Sequence, residues 1–311
     1  MLQAALASGA AERRCVFELF ARRLPEGRRY GVVAGTGRAL AGLAEFRFDD
    51  AALAVLAEVV DETTLEWLAG YRFAGDVWGY GEGELYFPDS PVLVVEGTFA
   101  EAVLLETLLL SVFNHDSAVA SAASRMTLVA EGRPCIEMGS RRTHEEAAVA
   151  AARADYIAGF AASSNLAARQ RHGVPSTGTS AHAFTLVHDS ETDAFRAQVA
   201  SLGTGTTLLV DTYDVAEAVR RGVEIAGPGL GAVRLDSGDL GVLARDVRLE
   251  LDALGAHDTR IVVTSDLDEY AIAALAAAPV DGYGVGTRLV TGSGHPTCGF
   301  VYKLEIGRAH V

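Results

Sequence analysis

Cysteine is scarce in this chain, and the cysteines do not cluster. Cys15, Cys135 and Cys298 are the only three among 311 residues, and they lie far apart in the sequence. This distribution matches neither a disulfide framework nor a metal-binding motif, so it predicts free thiols in a reducing compartment. A chain of this length can bury a large core without covalent cross-links.

The chain also lacks long apolar runs and clusters of basic residues. Near the amino terminus only short apolar stretches surround Glu12, Arg13 and Arg14, so neither a signal peptide nor a transmembrane helix is predicted. We therefore expect a cytoplasmic protein. The formal net charge of -15 disfavours a nucleic-acid partner. A small anionic ligand stays compatible with this charge, because local arginines and helix termini decide the charge of a pocket.

The first part of the chain, residues 1–133, mixes helical and strand patterns. Residues 87–99 read as a strand, and residues 101–126 have the apolar spacing of a helix. His115 and Asp116 fall within that helix, where a structural role is favoured over a ligand role. We expect this part to form an α+β domain.

After residue 133, short apolar strands alternate with amphipathic helices. Such alternation is typical of βαβ units and a parallel sheet, and seven units suggest a closed or nearly closed barrel. The predicted fold class is α/β, with an α+β N-terminal domain at residues 1–133 followed by an α/β, TIM-like barrel at residues 134–311. The predicted strands are 135–140, 158–162, 173–179, 206–212, 231–237, 260–266 and 280–287, and the predicted outer helices are 143–157, 214–226 and 268–278.

Polar side chains recur near the carboxyl ends of these predicted strands. Barrel enzymes build their active sites at that end of the sheet, whereas a chance distribution would place many charged residues within helices. The sequence therefore predicts one functional ring. Its members are Arg141, His182, Asp211, Arg234, Asp236, Asp266, Gly286 and Thr287.

His182 follows a run of small and hydroxylated residues in the segment 174–184, VPSTGTSAHAF. Backbone amides in such a segment can approach a phosphate closely, and the imidazole meets little steric hindrance. The pattern is compatible with a phosphate-handling site. A loop whose histidine only caps or packs is the alternative, and the motif by itself does not decide between them.

Arg234 and Asp236 alternate along a predicted strand, so their side chains point to the same face. A binding role would place ribose hydroxyls on Asp236 and an anionic group on Arg234, whereas the alternative is an ion pair that stabilises the barrel rim. Asp211 is another candidate for ligand contact, and Asp214 is expected to cap the next helix. The glycine-rich segment 282–294 could cradle a phosphate with its amides.

Five segments carry a more specific pattern: EMGSRRTHEEAA (137–148), STGTSAHAF (176–184), LVDTYD (209–214), RLDSGDL (234–240) and GVGTRLVTG (284–292). Together, and in this order, they resemble the nicotinate phosphoribosyltransferases of bacteria. The likeness extends over nearly the whole chain and is far more specific than any single motif. It implies a type II phosphoribosyltransferase fold and a homodimer with sites at the subunit interface.

That resemblance implies ATP-coupled transfer of phosphoribose from phosphoribosyl pyrophosphate to nicotinate, which gives nicotinate mononucleotide and pyrophosphate in NAD biosynthesis and salvage. Mg2+ would accompany phosphoribosyl pyrophosphate and ATP, and no direct metal ligand is predicted. His182 matches the histidine that ATP phosphorylates transiently, Asp236 is the second catalytic residue, and Arg141 matches the arginine that meets the nicotinate carboxylate. The other predicted substrate-binding residues are Thr179, Ser180, Asp211, Arg234, Gly284, Gly286 and Thr287.

Two alternatives remain at this point. One is a barrel similar to quinolinate phosphoribosyltransferase, which needs no phosphorylated histidine, so the His182 motif argues against it. The other is a non-catalytic barrel that dimerises or binds nucleotide. The resemblance also implies that family members continue before the segment matching Met1, with a tyrosine that stacks on nicotinate, and beyond the segment matching Val311. The chain is therefore expected to be a fragment or an abbreviated form.

Overall fold

A computed structural model describes residues 1–305 of the chain. These residues form two compact units, one of residues 1–121 with the described residues from 295 onward, and one of residues 122–294. The sequence predicts a boundary at residue 133, with the whole carboxyl-terminal part in the barrel. The two divisions differ because local periodicity does not reveal that the last strand pairs with the first.

The helices and strands follow one another along the chain with these bounds. The helices are α1 Leu2–Ser8, α2 Thr36–Glu45, α3 Asp50–Leu56, α4 Glu62–Ala69, α5 Phe99–Val103, α6 Glu106–Ala130, α7 Glu145–Ile157, α8 Leu166–His172, α9 His182–Leu186, α10 Glu191–Leu202, α11 Val215–Ala226, α12 Leu240–Ala253, α13 Glu269–Ala274 and α14 Thr287–Val290, with short 3₁₀ turns at Ala10–Glu12, Ser140–Arg142 and Gly292–Gly294. The strands are β1 Arg14–Ala21, β2 Gly31–Val32, β3 Asp76–Gly79, β4 Leu85–Tyr86, β5 Leu93–Thr98, β6 Cys135–Glu137, β7 Ala162–Ser163, β8 Thr207–Leu209, β9 Ala232–Leu235, β10 Arg260–Val263, β11 Gly282–Val285 and β12 Phe300–Glu305.

The first unit is built on an antiparallel sheet in the order β12-β1-β5-β3. Alternate residues of β1 are buried, as expected for a strand with one face on the core. Phe17 of β1 stacks on Tyr302 of β12, with ring centroids 4.5 Å apart. The predicted helix at 101–126 is confirmed by α5 and α6, and the predicted strand at 87–99 is confirmed in part by β5.

The second unit is built on a six-stranded parallel sheet in the order β7-β6-β11-β10-β9-β8. The last strand of the series, β11, pairs with the first, β6, so the strands follow a cyclic order as in a barrel. Among the described residues no pairing joins β7 to β8, and the sheet is a curled, open half-barrel. The predicted α/β class with an α+β first part is confirmed, and the barrel is not closed.

The segment 173–179 was predicted as a strand, and this prediction is wrong for most of its length. Only Ser176 forms a bridge, to Ser163 of β7. Pro175 has no amide hydrogen for a ladder, and the backbone leaves the sheet after Thr177 donates to the Ser163 carbonyl at 3.0 Å. The segment instead becomes the loop that leads into α9.

Gln198 of α10 links this loop to the other edge of the open sheet. Its Oε1 accepts a hydrogen bond from the Ser180 hydroxyl at 2.7 Å, and its Nε2 donates to the Thr207 carbonyl at 2.8 Å. The side chain is buried, so these bonds are protected from water. Gln198 therefore fixes the approach to α9 relative to the start of β8.

Helix starts in the second unit are set by aspartate caps that the sequence shows locally. Asp214 accepts from the Glu217 amide at 2.8 Å, which confirms its predicted capping role, and Asp239 accepts from the Val242 amide at 3.1 Å. The predicted helices at 143–157 and 214–226 are confirmed, and the one at 268–278 is shorter. Within residues 1–305, no helix has both the length and the apolar character needed to cross a membrane.

Candidate functional site

His182 is the first residue of α9, and it pairs with a buried carboxylate. Its Nε2 lies 3.1 Å from Oδ1 of Asp211, which follows strand β8. The imidazole is 39% exposed, whereas the Asp211 side chain is 3% exposed. A carboxylate that accepts from Nε2 favours the tautomer with its hydrogen there, so the lone pair of the neutral ring resides on Nδ1.

The second oxygen of Asp211 binds the end of the neighbouring strand. Oδ2 accepts from the Asp236 amide at 2.9 Å and from the Ser237 hydroxyl at 2.6 Å. Because β8 and β9 are paired, the ends of both strands meet here. The sequence predicted ligand contact for Asp211, but both its oxygens are engaged by protein groups, and they orient His182 and the loop after β9.

Arg234 of β9 extends its guanidinium across the end of the sheet. Nε donates to Thr264 Oγ1 at 2.8 Å, and Nη2 donates to Asp236 Oδ1 at 2.7 Å. Nη1 donates to Thr179 Oγ1 at 2.6 Å and to the Ser180 carbonyl at 3.3 Å. One side chain thus joins the ends of β9 and β10 to the loop before α9. The rim ion pair that the sequence left as an alternative is present. The same Arg234 side chain also lines two cavities at this end of the sheet.

Asp236 is an anion held in a partly buried position. Burial opposes its ionisation, but hydrogen bonds from Thr264 and Arg234, the charge of Arg234 and that of His182 outweigh burial and lower the pKa of Asp236. The Thr264 hydroxyl and Arg234 both bind Oδ1. The carboxylate is therefore ionised at neutral pH and fixed in direction.

Two cavities open at these strand ends, and they share Met138, Arg141, Arg234 and Asp236 as lining residues. The histidine cavity has a volume of about 250 Å³ and the glycine cavity about 200 Å³. The histidine cavity is lined by Met138, Ser140, Arg141, Ser164, Gly178, Thr179, Ala181, His182, Arg234 and Asp236. The glycine cavity is lined by Met138, Arg141, Arg142, Arg234, Asp236, Thr264, Ser265, Asp266, Gly284, Gly286 and Thr287.

Most of the predicted site residues come together around these cavities, and two do not line them. Asp211 lies behind His182, and the Ser180 hydroxyl donates to Gln198 on the other side of the loop. Ser180 was predicted to line the same pocket as His182, and its direction was missed because it depends on Gln198, which lies 18 residues further along the chain. The residues that reach the cavities as predicted are Arg141, Thr179, His182, Arg234, Asp236, Asp266, Gly284, Gly286 and Thr287.

Met138, Arg142 and Thr264 also line these cavities and were not predicted from the sequence. Arg142 adjoins the predicted Arg141 on the 3₁₀ turn after β6, so a second cation beside the first was a usable signal. Met138 and Thr264 are uncharged, and nothing in their local pattern distinguishes them from core residues. Only the fold shows that both flank the glycines of β11.

Gly284 of β11 allows these side chains to approach closely. A Cβ atom at residue 284 would lie 2.5 Å from Thr264 Cγ2 and 2.8 Å from Met138 Sδ. Such distances are far shorter than van der Waals contact, so only glycine fits here. In the glycine cradle predicted from the sequence, glycine is therefore required at residue 284 by the close packing of Thr264 and Met138.

A larger cavity of about 440 Å³ lies on the other side of the Gly178–Ser180 loop, and none of its lining residues is charged. It offers no counter-charge for an anionic ligand, so the histidine and glycine cavities form the candidate site. Within residues 1–305, no three His, Cys, Asp or Glu side chains are grouped to hold a metal ion. The three cysteines are free thiols, as the sequence predicted.

An open parallel barrel with a carboxylate-paired histidine, several arginines and a glycine-rich strand end is typical of α/β enzymes that bind phosphate-bearing ligands. Comparison with known proteins narrows this class. Residues 1–114 match the family model of the nicotinate phosphoribosyltransferase (NAPRTase) N-terminal domain. Nicotinate phosphoribosyltransferase pncB1 of Mycobacterium tuberculosis is 65% identical, over 98% of this chain and 70% of its own length.

Two further relatives agree with that match. The nicotinate phosphoribosyltransferase of Bacillus subtilis is 38% identical over 95% of this chain and 62% of its own length. The crystal structure of human nicotinic acid phosphoribosyltransferase superposes with a TM-score of 0.83 at 29% identity, over 98% of this chain and 72% of that one. The chain belongs to the nicotinate phosphoribosyltransferase family, a family of enzymes.

Proposed function

We propose that the chain transfers phosphoribose from phosphoribosyl pyrophosphate to nicotinate, with ATP hydrolysis coupled through a phosphorylated His182. The products are nicotinate mononucleotide and pyrophosphate, and the reaction serves NAD biosynthesis. The observation that carries the proposal is the pairing of His182 with Asp211 on the wall of a cavity that Arg141 and Asp236 also line. A quinolinate-type reaction would leave that paired histidine without a task.

His182 is the proposed phosphoryl acceptor. Asp211 retains hydrogen on Nε2, so the lone pair of Nδ1 attacks the γ-phosphorus of ATP while ADP leaves. The positive charge that forms on the ring is stabilised by the Asp211 carboxylate at 3.1 Å. The phosphoryl group then passes to water during turnover, which couples ATP hydrolysis to the transfer.

Arg141 is the proposed partner of the nicotinate carboxylate. It lines both cavities, and a guanidinium donates two parallel hydrogen bonds to a carboxylate. Thr179 and Met138 line the same space and supply a hydroxyl and an apolar wall for the pyridine ring. This arrangement favours nicotinate over the neutral amide, because an amide cannot form the charge-assisted pair.

Asp236 and the glycine cavity are the proposed site for the ribose and its 5′-phosphate. Displacement at the anomeric carbon develops positive charge on the sugar ring, and the ionised Asp236 can stabilise it. Backbone amides near Gly286 and Thr287, together with Arg142, supply donors for phosphate oxygens. No general base is needed, because the pyridine nitrogen already carries its lone pair.

Mg2+ is proposed to enter with phosphoribosyl pyrophosphate. Asp236 and Asp266 line the glycine cavity, and one or two carboxylates are the usual protein share of a magnesium ion bound mainly by substrate phosphates. These residues therefore fit the ion, which would offset the charge of the leaving pyrophosphate. A homodimer and a cytoplasmic location belong to the same proposal.

Labelling with ATP that carries a radioactive γ-phosphate tests this function. We expect acid-labile label on the wild-type protein, none on a His182→Ala variant, and nicotinate mononucleotide formation that depends on His182. His188→Ala is the matched control, because His188 lies just after the same helix and its imidazole hydrogen-bonds the Phe184 carbonyl rather than a carboxylate. Equal labelling of the two variants, or product from quinolinate alone, would contradict the proposal.

A further inference from the structure

Glu137, the last residue of β6, is a buried carboxylate directly beneath the arginine-bearing turn. The residue is 0% exposed. Oε1 accepts from the Gly139 amide, the Ser140 amide also donates to the carboxylate, and Oε2 accepts from the Ser163 hydroxyl at 2.5 Å. None of these three partners is a cation. Burial raises the pKa of Glu137, and the three hydrogen bonds oppose that shift.

The two amides belong to the segment that turns from β6 into the 3₁₀ turn Ser140–Arg142. A carboxylate that accepts from successive amides fixes the backbone direction at both, and therefore the positions of the residues that follow. Gly139 is also confined from the other side, because a Cβ there would lie 2.8 Å from the Gly286 carbonyl oxygen. The turn that carries Arg141 is thus held between Glu137 and the glycine cradle.

The same carboxylate holds the next loop of the site. The Ser163 hydroxyl that donates to Glu137 accepts from the Asn165 amide at 2.9 Å, and Asn165 Nδ2 donates to the Ser140 hydroxyl at 3.0 Å. These bonds close a ring that returns to the 3₁₀ turn. Ser164, between Ser163 and Asn165, lines the histidine cavity, so the ring braces two adjacent walls of it.

We propose that Glu137 is a positioning residue that sets the recognition of the anionic substrate by holding the turn of Arg141 in place. The inference rests on the proposed binding of the nicotinate carboxylate by Arg141. Glu137 itself lines neither cavity, so a ligand bound there would not contact it directly. Its effect therefore passes through Arg141, and we expect its loss to weaken binding by about 10- to 100-fold, the range typical when the orienting partner of a metal ligand is removed.

A double-mutant cycle on the KM for nicotinate separates positioning from general stabilisation. Glu137→Ala is expected to raise that KM about 10- to 100-fold in the wild-type background and less than about threefold in an Arg141→Ala background. The rate of His182 labelling by ATP is expected to stay within about threefold, because the turn does not contact Asp211. Glu137→Gln should recover most of the loss, since its carbonyl oxygen still accepts from the two amides.

Glu191→Gln is the matched control, because Glu191 is also a buried carboxylate of this unit and its ion-pair partner is Arg221 of α11 rather than a group of the turn. It is expected to leave the KM for nicotinate unchanged. If Glu137→Ala does not fold, Ser163→Ala takes its place in the cycle. If the double variant raises the KM for nicotinate by the product of the two single effects, the inference about Glu137 is wrong and the proposed role of Arg141 stands. An unchanged KM in Arg141→Ala would contradict the proposed role of Arg141 as well.

Discussion

The Nε2 atom of His182 and the Oδ1 atom of Asp211 lie 3.1 Å apart, and the other oxygen of Asp211 accepts from the Asp236 amide at 2.9 Å. One buried carboxylate thus links the proposed phosphoryl acceptor to the proposed ribose-binding strand. Asp211 fixes the tautomer of His182 through one oxygen. Through the other oxygen it accepts from the Asp236 amide and so links the ends of β8 and β9. The chemistry of His182 therefore depends on a residue that is almost inaccessible to a ligand.

Replacement of Asp211 by Asn tests this dependence. An amide cannot stabilise the imidazolium that forms on phosphorylation, so the rate of phosphohistidine formation is expected to fall on the order of 100-fold. The phosphoryl group of the wild-type protein is expected on Nδ1, because Asp211 engages Nε2. Separation of the two phosphohistidine isomers after alkaline digestion checks this, and the Nε2 isomer would contradict the assignment.

Substitution of Gly284 by Ala tests the packing of the glycine cradle. The added Cβ would press on Thr264 and Met138, so we expect a loss of about 1–3 kcal/mol in the free energy of unfolding and a higher KM for phosphoribosyl pyrophosphate. Gly229→Ala is the control, because a Cβ there meets nothing within 4 Å. Thermal melting and steady-state kinetics give both quantities, and equal KM values for the two variants would exclude a role for this close approach.

The sequence predicts the site best where local spacing decides the geometry. Arg234 lies on β9 and Asp236 directly follows its end, and their side chains meet at 2.7 Å on the same face, as alternation predicts. Asp214 caps its helix because the cap involves only residues of the next turn. Local rules suffice for such contacts.

Other contacts depend on residues that are distant in sequence. The Ser180 hydroxyl turns away from His182 because Gln198 accepts it, and β12 joins the first unit because Phe300–Glu305 pairs with Arg14–Ala21. The prediction of a strand at 173–179 is wrong because Pro175 has no amide hydrogen to continue the pairing with β7 at the edge of the open sheet. Periodicity indicates that a segment is extended, but it does not identify its neighbour.

Ser265 supplies a test of strain at the glycine cavity. Its backbone φ is 125°, a value that residues other than glycine rarely adopt, and it lines the glycine cavity beside Asp266. Ser265→Gly is expected to raise the free energy of unfolding on the order of 1 kcal/mol, because relief of strain exceeds the entropy lost by glycine. Ala197→Gly, at an exposed position in the interior of α10, should instead lower it by about 0.5–1 kcal/mol. Chemical denaturation measures both, and a loss of stability in Ser265→Gly would show that the conformation is not strained.

Asp155 of α7 makes stability depend on pH. It is 0% exposed, and among residues 1–305 neither carboxylate oxygen has a hydrogen-bond partner. Burial, with a smaller contribution from the charge of Glu137, raises its pKa well above the ordinary value. The folded protein therefore holds a proton on Asp155 at a pH where the unfolded chain has lost it.

The sign of the effect follows from this proton. Above the pKa of the unfolded chain, folding takes up a proton, so stability falls as pH rises, by up to about 1.4 kcal/mol per pH unit until the folded pKa is reached. Asp155→Asn removes this component, and its melting temperature relative to wild type is expected to increase from pH 5 to pH 8. Asp246→Asn, at an exposed position on α12 of the same unit, should keep a constant difference over that range. A constant difference for Asp155→Asn as well would mean that the carboxylate finds a charge-stabilising partner in solution.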